Sequence, residues 1–150
     1  MSRRFDYSGR TALITGAASG IGAALTAGLA ARGASLILVD INADGLDGVA
    51  APLRADGCAV STFVVDMADA AAIARLAKDV EASGAPVHLL FNNAGIALGG
   101  MFEDVEMADF ERLIDINLYG VIRMSRAFLP RMRAVDEAHI VNISSIFGIV

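Results

Sequence analysis

The chain has 150 residues, 55% of them hydrophobic and 19% charged, and its formal net charge is −5. This hydrophobic content suffices for one domain with a substantial core and argues against a disordered chain. The acidic balance, with no basic stripe among aromatic residues, argues against a nucleic-acid-binding surface. The single cysteine, Cys58, cannot form an intrachain disulfide, so we interpret it as a small buried residue of a cytoplasmic protein.

No internal repeat or domain boundary divides the chain, so we expect a single domain over residues 1–150. The uncharged stretch 11–31 is long enough for a membrane helix, but it consists mostly of Ala, Gly, Ser and Thr. That composition is too weakly apolar for a bilayer. The expected partner is a small molecule or another subunit, not a membrane or a nucleic acid, and we assign no metal ligands.

Apolar runs and helical patterns alternate along the chain. Strands are predicted at 12–14 and at 35–39, where the second ends at Asp40. Between them, apolar residues recur at helical spacing at Ile21, Ala24, Leu25, Gly28 and Leu29. The following elements are predicted as helix 43–54, strand 59–65, helix 70–82, strand 87–91, helix 107–133 and strand 139–143. This alternation predicts a doubly wound α/β fold, a parallel sheet with helices on both faces.

A glycine-rich sequence, TGAASGIG at residues 15–22, joins the first strand to the first helix. Gly16 permits a tight turn, Gly20 lets the backbone approach a pyrophosphate, and Gly22 lets the helix pack closely. The helix amino terminus then faces the phosphates. We assign this part of a dinucleotide site to Gly16, Ser19, Gly20, Ile21 and Gly22. The alternative is a glycine-rich turn without a ligand, and a Walker-type loop is excluded because no lysine follows the last glycine.

Asp40 closes the second strand about twenty residues beyond the glycine loop, where a carboxylate can accept hydrogen bonds from both adenosine ribose hydroxyls. Neither of its neighbours Ile41 and Asn42 supplies a cation for a 2′-phosphate. Asp40 therefore predicts NAD rather than NADP as the cofactor. The alternative role for Asp40 is a cap of the next helix.

Asn117 lies in the helix predicted over 107–133. One face of that helix is predicted to be buried and consists of Phe110, Leu113, Ile114, Asn117, Val121, Met124 and Phe128. A buried amide needs a hydrogen-bond partner, so Asn117 is either functional or a core residue bonded to nearby backbone. The opposite, more polar face carries Arg112, Asp115, Tyr119, Arg123 and Arg126 and is by itself consistent with a solvated surface.

Several further motifs follow the predicted strands in a fixed order. They are Asp66, Asn92-Asn93-Ala94-Gly95 and Ile143-Ser144-Ser145, with Asn117 between the last two. Together with the glycine loop, they make the chain resemble the amino-terminal portion of the short-chain dehydrogenase/reductase family, in its T-G-x-x-x-G-x-G branch. The resemblance implies a Rossmann-type sheet in the order 3-2-1-4-5, without the last strands of the family, and an NAD-dependent oxidoreductase acting on an alcohol or carbonyl substrate.

The resemblance also implies roles for individual residues. Asp66 and the backbone of Met67 would recognise adenine, beside Asp40 and Ile41. Asn93, Ala94 and Gly95 would line the nicotinamide side, although Asn92 and Asn93 also suit backbone groups of the loop. Asn117 would bend its helix and hold a proton-relaying water, and Ser145 would hydrogen-bond the substrate oxygen as the catalytic serine. The helix over 107–133 would pack against a second subunit in a dimer or tetramer.

The acid/base tyrosine and lysine of the family are not matched in this sequence. Its only tyrosines, Tyr7 and Tyr119, and its only lysine, Lys78, all precede Ser145. We therefore expect the 150 residues to be inactive alone and to form the amino-terminal part of a longer dehydrogenase. The alternatives are a catalytically silent NAD-binding module completed by a partner and, third, a structural domain without a ligand.

Two smaller expectations concern residues outside the cofactor motifs. His88 and His139 stand at strand beginnings, the end of a parallel sheet away from its ligands, so we interpret both as structural. Ile96, Leu98 and Phe147, with Ser145, are candidates for an apolar substrate pocket.

Overall fold

A computed structural model of the chain describes residues 6–145. Its strands are β1 (Thr11–Thr15), β2 (Ser35–Asp40), β3 (Val60–Val64), β4 (Leu89–Asn92) and β5 (His139–Asn142). Its α-helices are α1 (Gly20–Ala30), α2 (Ala43–Ala55), α3 (Ala70–Ala82), α4 (Met107–Ile114) and α5 (Val121–Met132). The strands are parallel and lie in the order β3-β2-β1-β4-β5, which confirms the predicted fold and sheet order.

Two hydrophobic clusters cover the two faces of the sheet. On one face Leu13, Ile37 and Leu90 pack with side chains of α3 and α5, among them Ile73 and Phe128. On the other face the alternate strand residues pack with α1 and α2. Successive side chains of a strand point to opposite faces, so a strand buried on both sides must be apolar throughout. This explains the uninterrupted apolar runs that identify β1 and β2 in the sequence.

The predicted helix 107–133 is interrupted in its middle. A π-helical turn, Asp115–Gly120, separates α4 from α5, and a short 3₁₀ helix, Phe102–Asp104, precedes α4. The prediction that Asn117 is buried is wrong, because Asn117 and Ile114 are exposed and Ile116 is buried. A π turn contains more residues than an α turn, so it rotates the buried stripe relative to an uninterrupted helix.

The buried face of α1 also differs from the prediction. Gly22, Thr26 and Leu29 are its buried residues, whereas Ile21 is 60% exposed. The reason is that α1 packs its glycine against the loop before it, which turns Ile21 outward. Cys58 is half-buried rather than buried. Among residues 6–145, no helix combines the length and apolarity that a membrane crossing requires.

Candidate functional site

A cavity of about 390 Å³ opens at the carboxyl ends of the strands. Ligands of open parallel sheets bind at this edge, and the volume lies within the usual range for small-molecule sites. Its lining consists of Gly16, Ser19, Gly20, Ile21, Val39, Asp40, Ile41, Val65, Asp66, Met67, Asn93, Ala94, Gly95, Ile96, Arg112 and Ile116. The cavity thus unites the cofactor residues expected from the sequence, with Gly22 as the exception.

The glycines of the loop have different roles. Gly16 has a φ of +67° and Gly20 a φ of +52°, a region that residues with a Cβ rarely adopt. A Cβ on Gly16 would lie 2.9 Å from Ala94 Cα, whereas one on Gly20 would meet no described heavy atom within 4 Å. Gly20 therefore leaves open space on the cavity side, as a cradle for phosphate requires.

Gly22 does not line the cavity, so its assignment as a cofactor-binding residue stays a prediction, while its predicted role in close helix packing agrees with the structure. A Cβ at this position would lie 1.9 Å from the carbonyl oxygen of Gly16 and 2.8 Å from Asn93 Nδ2. Gly22 therefore permits close packing of α1 on the glycine loop and shapes the site from behind.

Asp40 is held at the cavity by backbone donors. Its Oδ2 accepts a hydrogen bond from Ala18 N and its Oδ1 one from Asn42 N, each at 3.0 Å. The side chain that caps α2 belongs to Asn42, which accepts from Gly45 N. The alternative of Asp40 as a cap of this helix is therefore wrong. The backbone N–H groups of Ala18 and Asn42 instead hold the Asp40 carboxylate between the glycine loop and the end of β2.

Thr15 and Asn93 join the glycine loop to the segment after β4. Asn93 Nδ2 donates to the carbonyl oxygens of Thr15 and Gly16, at 3.0 and 3.1 Å. Thr15 Oγ1 accepts from Asn93 N and from Ala94 N, both at 3.0 Å. Asn93 therefore satisfies loop backbone groups while it lines the cavity. The sequence shows Thr15 in the motif, but only the fold reveals this bridging role.

Asn92 lines neither that cavity nor the surface, because it is 2% exposed. Its Nδ2 donates to Ser125 Oγ at 3.1 Å and to Asn142 Oδ1 at 2.8 Å. These bonds link β4 to α5 and to the end of β5, just before Ser144 and Ser145. Asn92 is thus structural, one of the two roles considered for the paired asparagines.

Asp66 shares the cavity with a residue that the sequence did not point to. Its Oδ1 accepts from Ala68 N at 2.9 Å, and its Oδ2 lies 3.1 Å from Arg112 Nη2 of α4. The sequence places Arg112 on the polar face of its helix and not in the site. Arg112 reaches the cavity through the rotation of α4 against the sheet, which helical spacing in the sequence does not specify.

A second cavity, of about 620 Å³, adjoins the first at residues 93–96. Its lining consists of Asn93, Ala94, Gly95, Ile96, Ala97, Leu98, Leu113, Asn117, Val121, Ile143, Ser144 and Ser145. The structure thus brings Ser145 and Asn117 to one cavity with two of the expected substrate-pocket residues. Phe147, the remaining one, lies outside the described residues.

Asn117 is bonded to the segment after β4. Its Oδ1 accepts from Ile96 N at 2.9 Å, and its Nδ2 donates to the Ile96 carbonyl oxygen at 2.8 Å. The pairing uses both ends of the amide, as one backbone strand pairs with another. Asn117 therefore anchors the boundary between the two cavities. It is bonded to nearby backbone, as one alternative expects, but it is exposed and is not a core residue.

The two histidines lie at the opposite end of the sheet. His88 is buried, and its Nδ1 accepts from Thr11 N at 3.0 Å. Burial and the nearby Arg10 lower the pKa of His88, while Asp136 acts in the other direction. His139 is exposed and lies 3.6 Å from Glu137. Within the described part of the chain, no three His, Cys, Asp or Glu side chains are grouped to hold a metal ion.

Comparison with known proteins agrees with this geometry. The sequence pattern of the short chain dehydrogenase family matches residues 10–150. The oxidoreductase SadH of Mycobacterium tuberculosis is 42% identical over 145 residues, which cover 97% of this chain and 52% of SadH. The chain spans about half the length of the curated relatives it matches.

Two solved structures show the same fold with different cofactors. A short-chain dehydrogenase/reductase from Burkholderia phymatum in complex with NAD is 38% identical, with a TM-score of 0.91 over 98% of this chain and 53% of that one. A metagenomic short-chain oxidoreductase in complex with NADP is 35% identical, with a TM-score of 0.88 over 95% of this chain and 65% of that one. The chain therefore belongs to the short-chain dehydrogenase/reductase family, as its ordered motifs predict.

Proposed function

We propose that this chain binds NAD and forms the cofactor part of an oxidoreductase that acts on an alcohol or carbonyl substrate. NAD, when bound, exchanges a hydride with the substrate. The observation that carries the proposal is the position of Asp40 at the edge of the 390 Å³ cavity, with both carboxylate oxygens oriented by backbone N–H groups.

The preference for NAD rests on charge. A carboxylate at the end of β2 accepts hydrogen bonds from two ribose hydroxyls but repels a 2′-phosphate. Among residues 6–145, Arg112 is the only cationic residue that lines this cavity, and it is paired with Asp66. Related structures contain either NAD or NADP, so the choice depends on side chains rather than on the fold.

The remaining cofactor residues are assigned to successive parts of the dinucleotide, from its adenine end to its nicotinamide end. We assign the adenine end to Asp66 and Met67, and the phosphates to the loop from Gly16 to Ile21 at the start of α1. The nicotinamide end belongs to Asn93, Ala94 and Gly95, which line both cavities and so connect the cofactor to the second one.

The second cavity is the proposed substrate side. Ser145 would donate a hydrogen bond to the substrate oxygen and polarise it, without acting as a nucleophile. Asn117 would act beside it, through the Ile96 backbone that it holds at the junction with the cofactor cavity. Ile96 and Leu98 give this side an apolar wall, which suits a substrate with hydrocarbon next to its reacting carbon.

We also propose that the protein forms a homo-oligomer, a dimer or tetramer, through α4 and α5. The side chains of Met107, Leu118 and Ile122 are 69%, 49% and 43% exposed, although all three are apolar. Exposed apolar side chains on successive helical segments are typical of an interface between subunits.

Binding is the direct test of the proposed function. The protein is titrated with NADH, and the enhancement of NADH fluorescence is followed, with free AMP as competitor. Saturable binding that AMP displaces supports a dinucleotide site. No binding at millimolar NADH by a folded protein would contradict the proposal and would favour a structural domain without a ligand.

A further inference from the structure

We propose that Arg112 is a positioning residue for the purine end of this site. It holds the Asp66 carboxylate at the cavity, so that the pocket prefers a 6-amino purine to a 6-oxo purine. This inference rests on the proposed binding of NAD. It adds a determinant from α4, an element that the glycine loop and Asp40 do not involve.

The first support is the geometry of the Asp66 carboxylate. One oxygen accepts from Ala68 N and the other lies 3.1 Å from Arg112 Nη2, so both oxygens have a fixed direction. A carboxylate has about four acceptor positions on its two oxygens, so two positions remain for a ligand donor. Adenine presents such a donor in its 6-amino group, whereas hypoxanthine presents an oxygen there.

The second support is the way α4 and α5 hold the segment after β3. Arg123 of α5 donates to the Ala68 carbonyl oxygen at 3.2 Å and to Asp115 Oδ1 at 3.1 Å. Two arginines thus fix residues 66–68 from the same side, but of these two only Arg112 lines the cavity. Arg123 fixes the backbone, and Arg112 fixes the carboxylate that faces the ligand.

The third support is charge balance. Asp40 and Asp66 both line the cavity, and a dinucleotide brings two further negative charges in its pyrophosphate. Arg112 neutralises one of the carboxylates without reaching the side chain of the other, which stays available to the ribose. Removal of Arg112 would leave the Asp66 carboxylate held only by Ala68 N, so its second oxygen would lose its fixed direction and would accept the 6-amino group less well.

The test compares NAD with nicotinamide hypoxanthine dinucleotide, which differs only at the purine. Dissociation constants for both are measured by calorimetry for the wild type, Arg112→Met and Arg112→Lys. Arg75→Met is the matched control, because Arg75 also pairs with an aspartate, Asp69, at 3.6 Å but lies outside the cavity. Circular dichroism verifies that each variant is folded.

We expect the wild type to bind NAD more tightly than the hypoxanthine dinucleotide. In Arg112→Met the ratio of the two dissociation constants should fall by about three- to tenfold, which corresponds to the net free energy of one hydrogen bond. Arg112→Lys should recover most of that ratio, and Arg75→Met should leave it unchanged. An unchanged ratio in Arg112→Met, an equal loss for both dinucleotides, or no preference in the wild type would each overturn the inference. If Arg112→Met does not fold, Arg112→Ala, which removes the same cation, takes its place, and an unchanged ratio in that variant would overturn the inference. Absence of NAD binding by the wild type would instead contradict the proposed function itself.

Discussion

Asn117 and Ile96 are joined by two reciprocal hydrogen bonds, of 2.9 and 2.8 Å, between the side-chain amide of Asn117 and the backbone N–H and C=O groups of Ile96. These bonds connect the π-helical turn to the segment after β4, at the residues shared by the two cavities. A wider helical turn at this point lets an exposed asparagine reach the neighbouring backbone. The junction between the two cavities therefore depends on the helix interruption.

Replacement of Asn117 by alanine should lower the free energy of unfolding by about 1–2 kcal/mol, since each bond contributes a net 0.5–1.5 kcal/mol and the site is partly solvated. It should also weaken NAD binding, because Ile96 would lose its anchor. Urea unfolding and calorimetry measure the two effects, with exposed Glu111→Ala as the control on α4. Unchanged stability and unchanged binding would show that the pairing has no structural role.

Gly22 and Gly48 give a matched pair of helical glycines. A Cβ on Gly22 would lie 1.9 Å from Gly16 O, while one on Gly48 would meet no described heavy atom within 4 Å. Gly22→Ala should therefore destabilise the fold by about 3 kcal/mol or more. Gly48→Ala should stabilise it by about 0.5–1 kcal/mol. Thermal unfolding compares them, and similar melting temperatures for both variants would contradict the close packing described for α1.

Acid should destabilise the protein through His88. The pKa of this group is lowered in the folded state, so the unfolded chain binds a proton first as the pH falls. The neutral His88 therefore stabilises the fold fully above the unfolded pKa of about 6.5, and this contribution decreases below it. His88→Asn keeps an acceptor for Thr11 N but does not titrate. The free energy of unfolding should fall between pH 7 and 5 less steeply in the variant, and equal slopes would refute this assignment.

A second titration occurs at lower pH. Arg10 donates to Asp136 and holds the pKa of that carboxyl at about 2. The contribution of this ion pair to the free energy of unfolding is fully present above the unfolded pKa of Asp136, about 3.9. It is lost as the pH falls towards the lower pKa of the folded state. The pH ranges in which His88 and Asp136 titrate do not overlap, so the effect of His88 on stability is measured without interference from Asp136.

If the protein forms an oligomer through α4 and α5, one charged residue introduced on this surface should disrupt the assembly. Ile122→Glu should dissociate the assembly, because an unpaired carboxylate would be buried at the interface. Sedimentation velocity gives the mass, and Ala55→Glu on the exposed surface of α2 is the control. A wild type that sediments as a monomer would refute the proposed interface.

Much of the fold follows from the sequence, for physical reasons. Strands buried on both faces require apolar runs, and the order of the motifs identifies the family, so β1 and β2 and the sheet order are predicted correctly. The burial of Asn117 and of Ile21 is not, because it depends on a π turn and on the contact of Gly22 with Gly16. Hydrophobic periodicity assumes an uninterrupted helix and carries no information on such contacts.

The candidate site also contains residues that the sequence predicts and one that it does not. Asp40, Asp66 and Asn93 follow strands in the sequence, so their meeting at one sheet edge is predictable from topology. Arg112 approaches from α4, and its pairing with Asp66 depends on how that helix is rotated against the sheet. A sequence pattern does not specify that rotation.

The most direct test of the central claim is calorimetric titration of the wild type and of Asp40→Ser with NAD and with NADP. We expect the wild type to bind NAD more tightly than NADP, by tenfold or more, which corresponds to about 1.4 kcal/mol. Asp40→Ser should lose most of that preference, because the repulsion of the 2′-phosphate is removed. Equal or tighter binding of NADP by the wild type would contradict the preference for NAD that we assign to Asp40.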